Sequence, residues 1–254
     1  MCTLAIYFRM FEDHPLLVAA NRDEQFERPS TTPALLDSGP RIIAGKDLRA
    51  GGTWLGVNEH GVVTAILNRR VNGDSLPLTD ARSRGLLCMD LLRHRSAATA
   101  DAFIRDHHER YNPFTAVVAD LGGAYASYNS EEKILTQRLQ SGLHVFSSAA
   151  EFDLHSGKAE RAYTLFARFG ARLAADRMDR SQAIAGLSSV LGDHSLQAGA
   201  TDPGEAICVH REASGTVSSS LVFFTATDSR FEFFHCAGAP CRNSFGAALT
   251  LEVR

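Results

Sequence analysis

The sequence predicts an α+β fold in which two antiparallel sheets pack face to face between helix layers. Three observations carry this expectation. The hydrophobic periodicity comes in blocks, strands first, then helices, strands, helices and strands again, with at least eight strands and four helices. The 254 residues, 44% of them hydrophobic, suffice for a core that stands without staples. No internal repeat or low-complexity segment breaks the chain, so residues 1–254 are read as a single domain.

Taken in order, residues 2–8 alternate as a strand, and His14-Pro15 marks a turn. Residues 16–20 read as the second arm of a hairpin that stops at Asn21-Arg22-Asp23-Glu24. Pairing about residues 10–14 sets residues 20–23 opposite the start of the chain. Residues 27–40, rich in Pro, Ser and Thr, read as a surface loop. Residues 53–57 and 62–68 form strands about the turn Asn58-Glu59-His60-Gly61, after Gly51-Gly52. Helical spacing follows over 83–94 and 99–110, with Thr99 as the expected N-cap of the second helix. Strands at 114–119, 124–128, 134–139 and 143–147 make a meander. Helices are expected at 158–169 and 180–191, and closing strands at 206–210, 220–225, 231–235 and 247–253.

Composition narrows the function. The 26 basic and 29 acidic residues leave a net charge of -3, with no basic run to hold a phosphate backbone, so nucleic-acid binding is not expected. No stretch of about twenty apolar residues would span a bilayer. Five cysteines, an odd count, and Arg9 interrupting the apolar start point to a reducing, cytoplasmic setting without disulfides. Four thiols fall in or beside apolar segments, as small buried hydrophobes do. Cys208-x-His210 and His235-Cys236-x4-Cys241 bring five soft ligands onto terminal strands, but their spacing fits no standard zinc pattern. No metal or cofactor is therefore expected, and His94, His107, His108 and His155 read as solvated.

Cys2 stands apart. It follows Met1 directly, its side chain is small enough for Met removal, and it would then carry both a thiol and the α-amino group. With reference pKa values of about 8.5 and about 8, nucleophile and proton acceptor would share one residue. Asn21-Arg22-Asp23-Glu24 places an amide, a guanidinium and two carboxylates together at a strand end, where Arg22 would favour a thiolate and Asp23 would orient the ammonium. The segment around Trp54, the single tryptophan, is glycine-rich, and Asn68 ends a buried strand with an amide donor suited to an oxyanion.

Met1-Cys2, Ala19-Ala20-Asn21-Arg22-Asp23-Glu24 with Arg28-Pro29, and Gly51-Gly52-Thr53-Trp54-Leu55-Gly56 together resemble the transport and Golgi organisation 2 family, also called NRDE after its signature. The resemblance implies a four-layer αββα fold like that of N-terminal nucleophile (Ntn) hydrolases. By analogy with the choloylglycine hydrolase and penicillin V acylase group, Cys2 would be the nucleophile, tuned by Arg22 and Asp23, and Asn68 the oxyanion donor. Asn21, Glu24, Trp54 and Ser148 would line the substrate site. The sequence has serines at 147–148 where such hydrolases carry a further Asn, and Val217 where the family often has Arg. Two readings follow: an amidohydrolase cleaving a small linear, non-peptide amide through Cys2, or a non-catalytic protein binding haem or an acyl-CoA or other acyl lipid on the same scaffold.

Overall fold

A computed structural model describes residues 2–37, 39–69, 78–107, 109–129, 133–148, 156–176 and 178–254. Met1, His108 and His155 lie outside them.

The first hairpin forms because residues 3–8 and 16–25 can be buried on both faces at once. Strand β1 (Thr3–Phe8) is buried at every position, and β2 (Leu16–Gln25) pairs with it in the register Thr3 to Asn21 through Phe8 to Leu16. The start of the chain therefore faces the Asn21–Asp23 segment as the sequence suggests. Even-numbered Leu4, Ile6, Phe8, Leu16 and Val18 enter one core, whereas Ala5, Tyr7, Leu17 and Ala19 enter another.

The remaining strands are β3 (Ala34–Asp37), β4 (Arg41–Ala44), β5 (Leu55–Asn58), β6 (Val63–Asn68), β7 (Phe114–Ala119), β8 (Ala124–Asn129), β9 (Ile134–Arg138), β10 (Gly142–Ser147), β11 (Ser214–Thr225), β12 (Arg230–Ala237) and β13 (Leu249–Glu252). Among the described residues they form two antiparallel sheets, one ordered β10-β1-β2-β11-β12-β13 and the other β3 through β9 in sequence order. The first core lies between these sheets. Helices α1 (Arg84–Leu91) and α2 (Ala97–Arg105) cover the outer face of the second sheet. Helices α3 (Gly157–Asp176) and α4 (Arg180–Leu191) cover the first. The result is the expected αββα stack. Under α3 the Tyr7 hydroxyl donates to the Phe166 carbonyl at 2.7 Å, and its ring occupies the space left by Gly170. Burying one such ring contributes on the order of 2 kcal/mol.

The structure corrects several element assignments. Strand β2 does not stop at Asn21 but runs on to Gln25, because β11 pairs with it along that length. The 27–40 loop contains β3, which pairs with β4, itself absent from the sequence reading. The N-cap of α2 is Ser96, with Thr99 at the third helical position of a capping box. Residues 206–210 are not a strand. Cys208 N–H donates to the Asp193 carbonyl at 2.9 Å and Val209 N–H to Thr216 Oγ1 at 2.9 Å, and the segment meets β11 through the Thr216 N–H to Val209 carbonyl bond at 2.8 Å and an isolated His210–Gly215 bridge. The turn after β5 stands as expected. Asn58 Oδ1 accepts from His60 and Val62 N–H, and its amide donates to the Leu92 and His94 carbonyls, which ties the hairpin to the end of α1.

A candidate active site at the head of the first strand

Cys2 sits where β1 emerges between β10 and β2. Its backbone N–H donates to Ser148 Oγ at 2.8 Å, Ser148 N–H returns a bond to the Cys2 carbonyl at 3.3 Å, and its sulfur lies 3.8 Å from the Asp23 carbonyl oxygen. Burial, and then the Asp23 carboxylate, push the thiol above its ordinary pKa, against the pull of Lys158 and the chain amine. The thiol is thus held protonated and calls for a local base before it can act as a nucleophile.

The strand period of two divides the signature tetrapeptide. Asn21 points to the helix layer, where its amide donates to the Leu191 and Ile207 carbonyls at 2.8 and 2.9 Å and its oxygen accepts from Ser219. It fastens the end of α4 and does not line the cleft. Asp23 is buried and accepts from Lys158 Nζ at 3.2 Å and from Thr216 Oγ1 at 2.7 Å. Lys158, on the first turn of α3, is itself 3% exposed, so the pair is an interior one.

Arg22 turns to the cleft side. Its guanidinium lies over the Trp54 ring, 4.3 Å from the centroid, and reaches Ser30 Oγ at 3.1 Å and Asp47 at 3.3 Å. Asp47 also takes Arg28 at 2.6 Å. Against the effect of burial, these cations and the Ala50 N–H hold its carboxyl below the usual range. Glu24 lies 3.7 Å from Arg28. Trp54 is therefore a platform for Arg22 within the protein.

A cleft of about 200 Å³ opens between the sheets, with Cys2, Arg22, Asp23, Glu24, Trp54 and Asn68 all in its wall. The structure thus brings six of the eight residues singled out in the sequence around one space. Ser148 supports it through the Cys2 nitrogen, and Asn21 stands behind it.

Other wall residues escape the sequence reading. Arg84, at the start of α1, donates through Nη1 to the Pro113 carbonyl at 2.8 Å. Among the described residues no carboxylate lies within ion-pair distance of it, although burial lowers its pKa. Arg82 also lines the cleft but is tied to Asp90 and Glu109. Lys158 stands behind the cleft, paired with Asp23, and Arg84 lines it. Gly52 and Gly85 allow the loop before β5 to lie against the first turn of α1, where Thr53 N–H donates to the Gly85 carbonyl at 3.0 Å.

The αββα sandwich of two antiparallel sheets between helix layers, with a cysteine at the head of its first strand, is an Ntn-hydrolase-like fold. Solved structures share the architecture. Penicillin V acylase from Agrobacterium tumefaciens superposes with a TM-score of 0.55 at 15% identity, covering 91% of this chain and 82% of that one. The C2A mutant of conjugated bile acid hydrolase from Clostridium perfringens gives 0.54 at 10% identity, over 92% and 88%. The Caenorhabditis elegans ortholog of N-acylethanolamine-hydrolyzing acid amidase gives 0.55 at 14% identity, over 87% and 92%. These identities speak to the fold alone.

Within that class, the chain belongs to the family described as Transport and Golgi organisation 2, whose profile matches residues 1–235. The Transport and Golgi organization 2 homolog of Mus musculus is 31% identical over 133 residues, 46% of each protein. The Homo sapiens homolog is 30% identical over 138 residues, 48% of this chain and 47% of that protein. The matched segment thus spans about half the length of these relatives. No helix among the described residues is long and apolar enough to cross a membrane.

Proposed function

We propose that the protein is a cysteine amidohydrolase that cleaves a small linear amide carrying an anionic group. The observation that carries this reading is the position of Cys2 in the cleft wall, its thiol pushed up in pKa by burial and its nitrogen anchored by Ser148. Once Met1 is removed, that nitrogen is a free amine and takes the thiol proton. The thiolate attacks the amide carbonyl, and Asn68 donates to the oxyanion. The ammonium then protonates the leaving nitrogen, and water, deprotonated by the same amine, hydrolyses the thioester. Lys158 offsets the Asp23 charge, which would otherwise oppose thiolate formation still more strongly.

Arg84 sets the substrate class. A partly desolvated guanidinium in the wall, beyond ion-pair distance of every carboxylate among the described residues, is suited to a carboxylate or phosphate on the ligand. The same cation favours a second reading, in which an acyl-CoA is bound through a phosphate without turnover.

The test combines intact mass with turnover of a panel of N-acyl amides bearing terminal carboxylates. Loss of one Met, hydrolysis, and abolition of hydrolysis in a folded Cys2→Ala variant are the expected results. Retained Met1 or full activity in Cys2→Ala would refute the hydrolase. Saturable acyl-CoA binding indifferent to Cys2→Ala, with no hydrolysis, would establish the binding reading instead.

A further inference from the structure

Away from the cleft, three loops bring His194, Cys208, His210 and Cys241 together, one ligand atom from each lying within 4.8 Å of all the others. His194 follows α4, Cys208 and His210 belong to the irregular segment before β11, and Cys241 follows β12. Cys208 Sγ is 3.7 Å from both His210 Nε2 and Cys241 Sγ, and His210 Nε2 is 3.3 Å from Cys241 Sγ. Zinc bonds of about 2.3 Å to sulfur and about 2.0 Å to nitrogen, set tetrahedrally, require sulfur atoms about 3.8 Å apart and sulfur to nitrogen about 3.5 Å. The three separations match those edges to within a few tenths of an ångström. His235 and Cys236, which the sequence groups with these ligands, lie outside the cluster.

The surroundings are also those of a metal site. His194 Nδ1 lies 3.2 Å from the Cys208 carbonyl. A carbonyl only accepts, so Nδ1 carries the proton and Nε2 keeps its lone pair for an ion, the usual outer-shell arrangement of a metal-bound imidazole. Cys208 is buried, His210 is half-buried, and His194 and Cys241 are exposed, which leaves an entry path. Two thiolates and two imidazoles select Zn²⁺ over hard cations.

We propose that His194, Cys208, His210 and Cys241 form a four-coordinate structural Zn²⁺ site. It clips the exit of α4, the 206–211 segment and the turn after β12 into one unit. That segment in turn holds the active-site edge, since Val209 N–H donates to Thr216 Oγ1 and Thr216 donates to Asp23. Binding displaces two thiol protons to solvent, and no oxidant is involved.

The full chain, reduced and freed of metal by chelation, is titrated with Co²⁺ and then with Zn²⁺ against a chromophoric chelator. One Co²⁺ per chain is expected, with sulfur-to-cobalt charge transfer and tetrahedral ligand-field bands, both displaced by Zn²⁺. Cys241→Ala and His194→Ala change exposed residues and should fold normally, yet each should weaken Zn²⁺ binding at least ten-fold. Cys236→Ala should bind as the parent does. An octahedral cobalt spectrum, a stoichiometry below half an ion per chain, or undiminished binding in both ligand variants would overturn the site.

Discussion

Asp23→Asn isolates the charge of the carboxylate beneath Cys2 with little change of shape. Asn still offers an oxygen to Thr216, so the 2.7 Å bond can persist. What disappears is the negative partner 3.2 Å from Lys158 Nζ, with both side chains at most 3% exposed. At that separation and an effective dielectric of about 20, the Coulomb attraction is about 5 kcal/mol. Breaking a buried pair costs about 3–5 kcal/mol, because the remaining charge stays desolvated. At roughly 2–4 °C per kcal/mol for a chain of this size, Tm should fall by roughly 6–20 °C. The double variant Asp23→Asn/Lys158→Met should recover most of the loss, giving a coupling of at least about 2 kcal/mol in urea melts. A second readout separates chemistry from scaffold. The Asp23 charge raises the Cys2 thiol pKa, second only to burial, so in Asp23→Asn the iodoacetamide profile of Cys2 should move to lower pH. A Tm change below about 2 °C, as for an exposed pair, or an unmoved alkylation profile would refute the reasoning.

Gly52→Ala should destabilise by about 1–3 kcal/mol, because the new methyl group would overlap the Gly85 backbone, which cannot rotate away; an unchanged thermal melt would show that the loop and α1 can separate freely. His235 is held by burial at a pKa of about 4, so the unfolded chain takes up a proton that the fold refuses. Its contribution to stability is therefore lost as pH falls from about 6.5 towards 4, and a His235→Gln variant should show a shallower loss over that window in urea melts. Arg84→Gln should raise KM at least ten-fold for amides with a terminal carboxylate and leave KM for neutral analogues within two-fold, measured by initial rates; equal effects on both would remove Arg84 from anion recognition.

The layers and most strands were legible because buried strands and amphipathic helices leave periodic hydrophobic patterns. The patterns fail where a polar residue is buried by a distant partner. The extension of β2 through Asn21–Gln25 looks like a solvated strand end, since nothing local tells that Leu191, Ile207, Lys158 and Asp47 satisfy those groups. Residues 206–210 alternate like a strand, yet Cys208 N–H goes to Asp193 and Val209 N–H to a threonine side chain, and pairing with β11 shrinks to an isolated bridge at His210–Gly215. Lys158 did leave a signal. It stands at i−4 and i−8 from Ala162 and Phe166 on the buried stripe of α3, where a lysine requires a carboxylate. Arg84 left no chemical signal, because its place in the cleft wall, beyond ion-pair distance of every carboxylate among the described residues, exists only in three dimensions.

The signature tetrapeptide acquires its meaning from that same geometry. As a string it reads as one dense polar patch, but alternation along β2 gives Asn21 to the α4 exit and Arg22 to the Trp54 platform, while Asp23 takes the buried lysine of α3. Both sets depend on the register that places Thr3 against Asn21. A one-residue slip would send the guanidinium under α3 against Lys158 and the carboxylate onto an aromatic face, two charge placements that each cost several kcal/mol. The motif therefore fixes the pairing of the first hairpin as well as furnishing the cleft, and the position of Cys2 follows from that pairing.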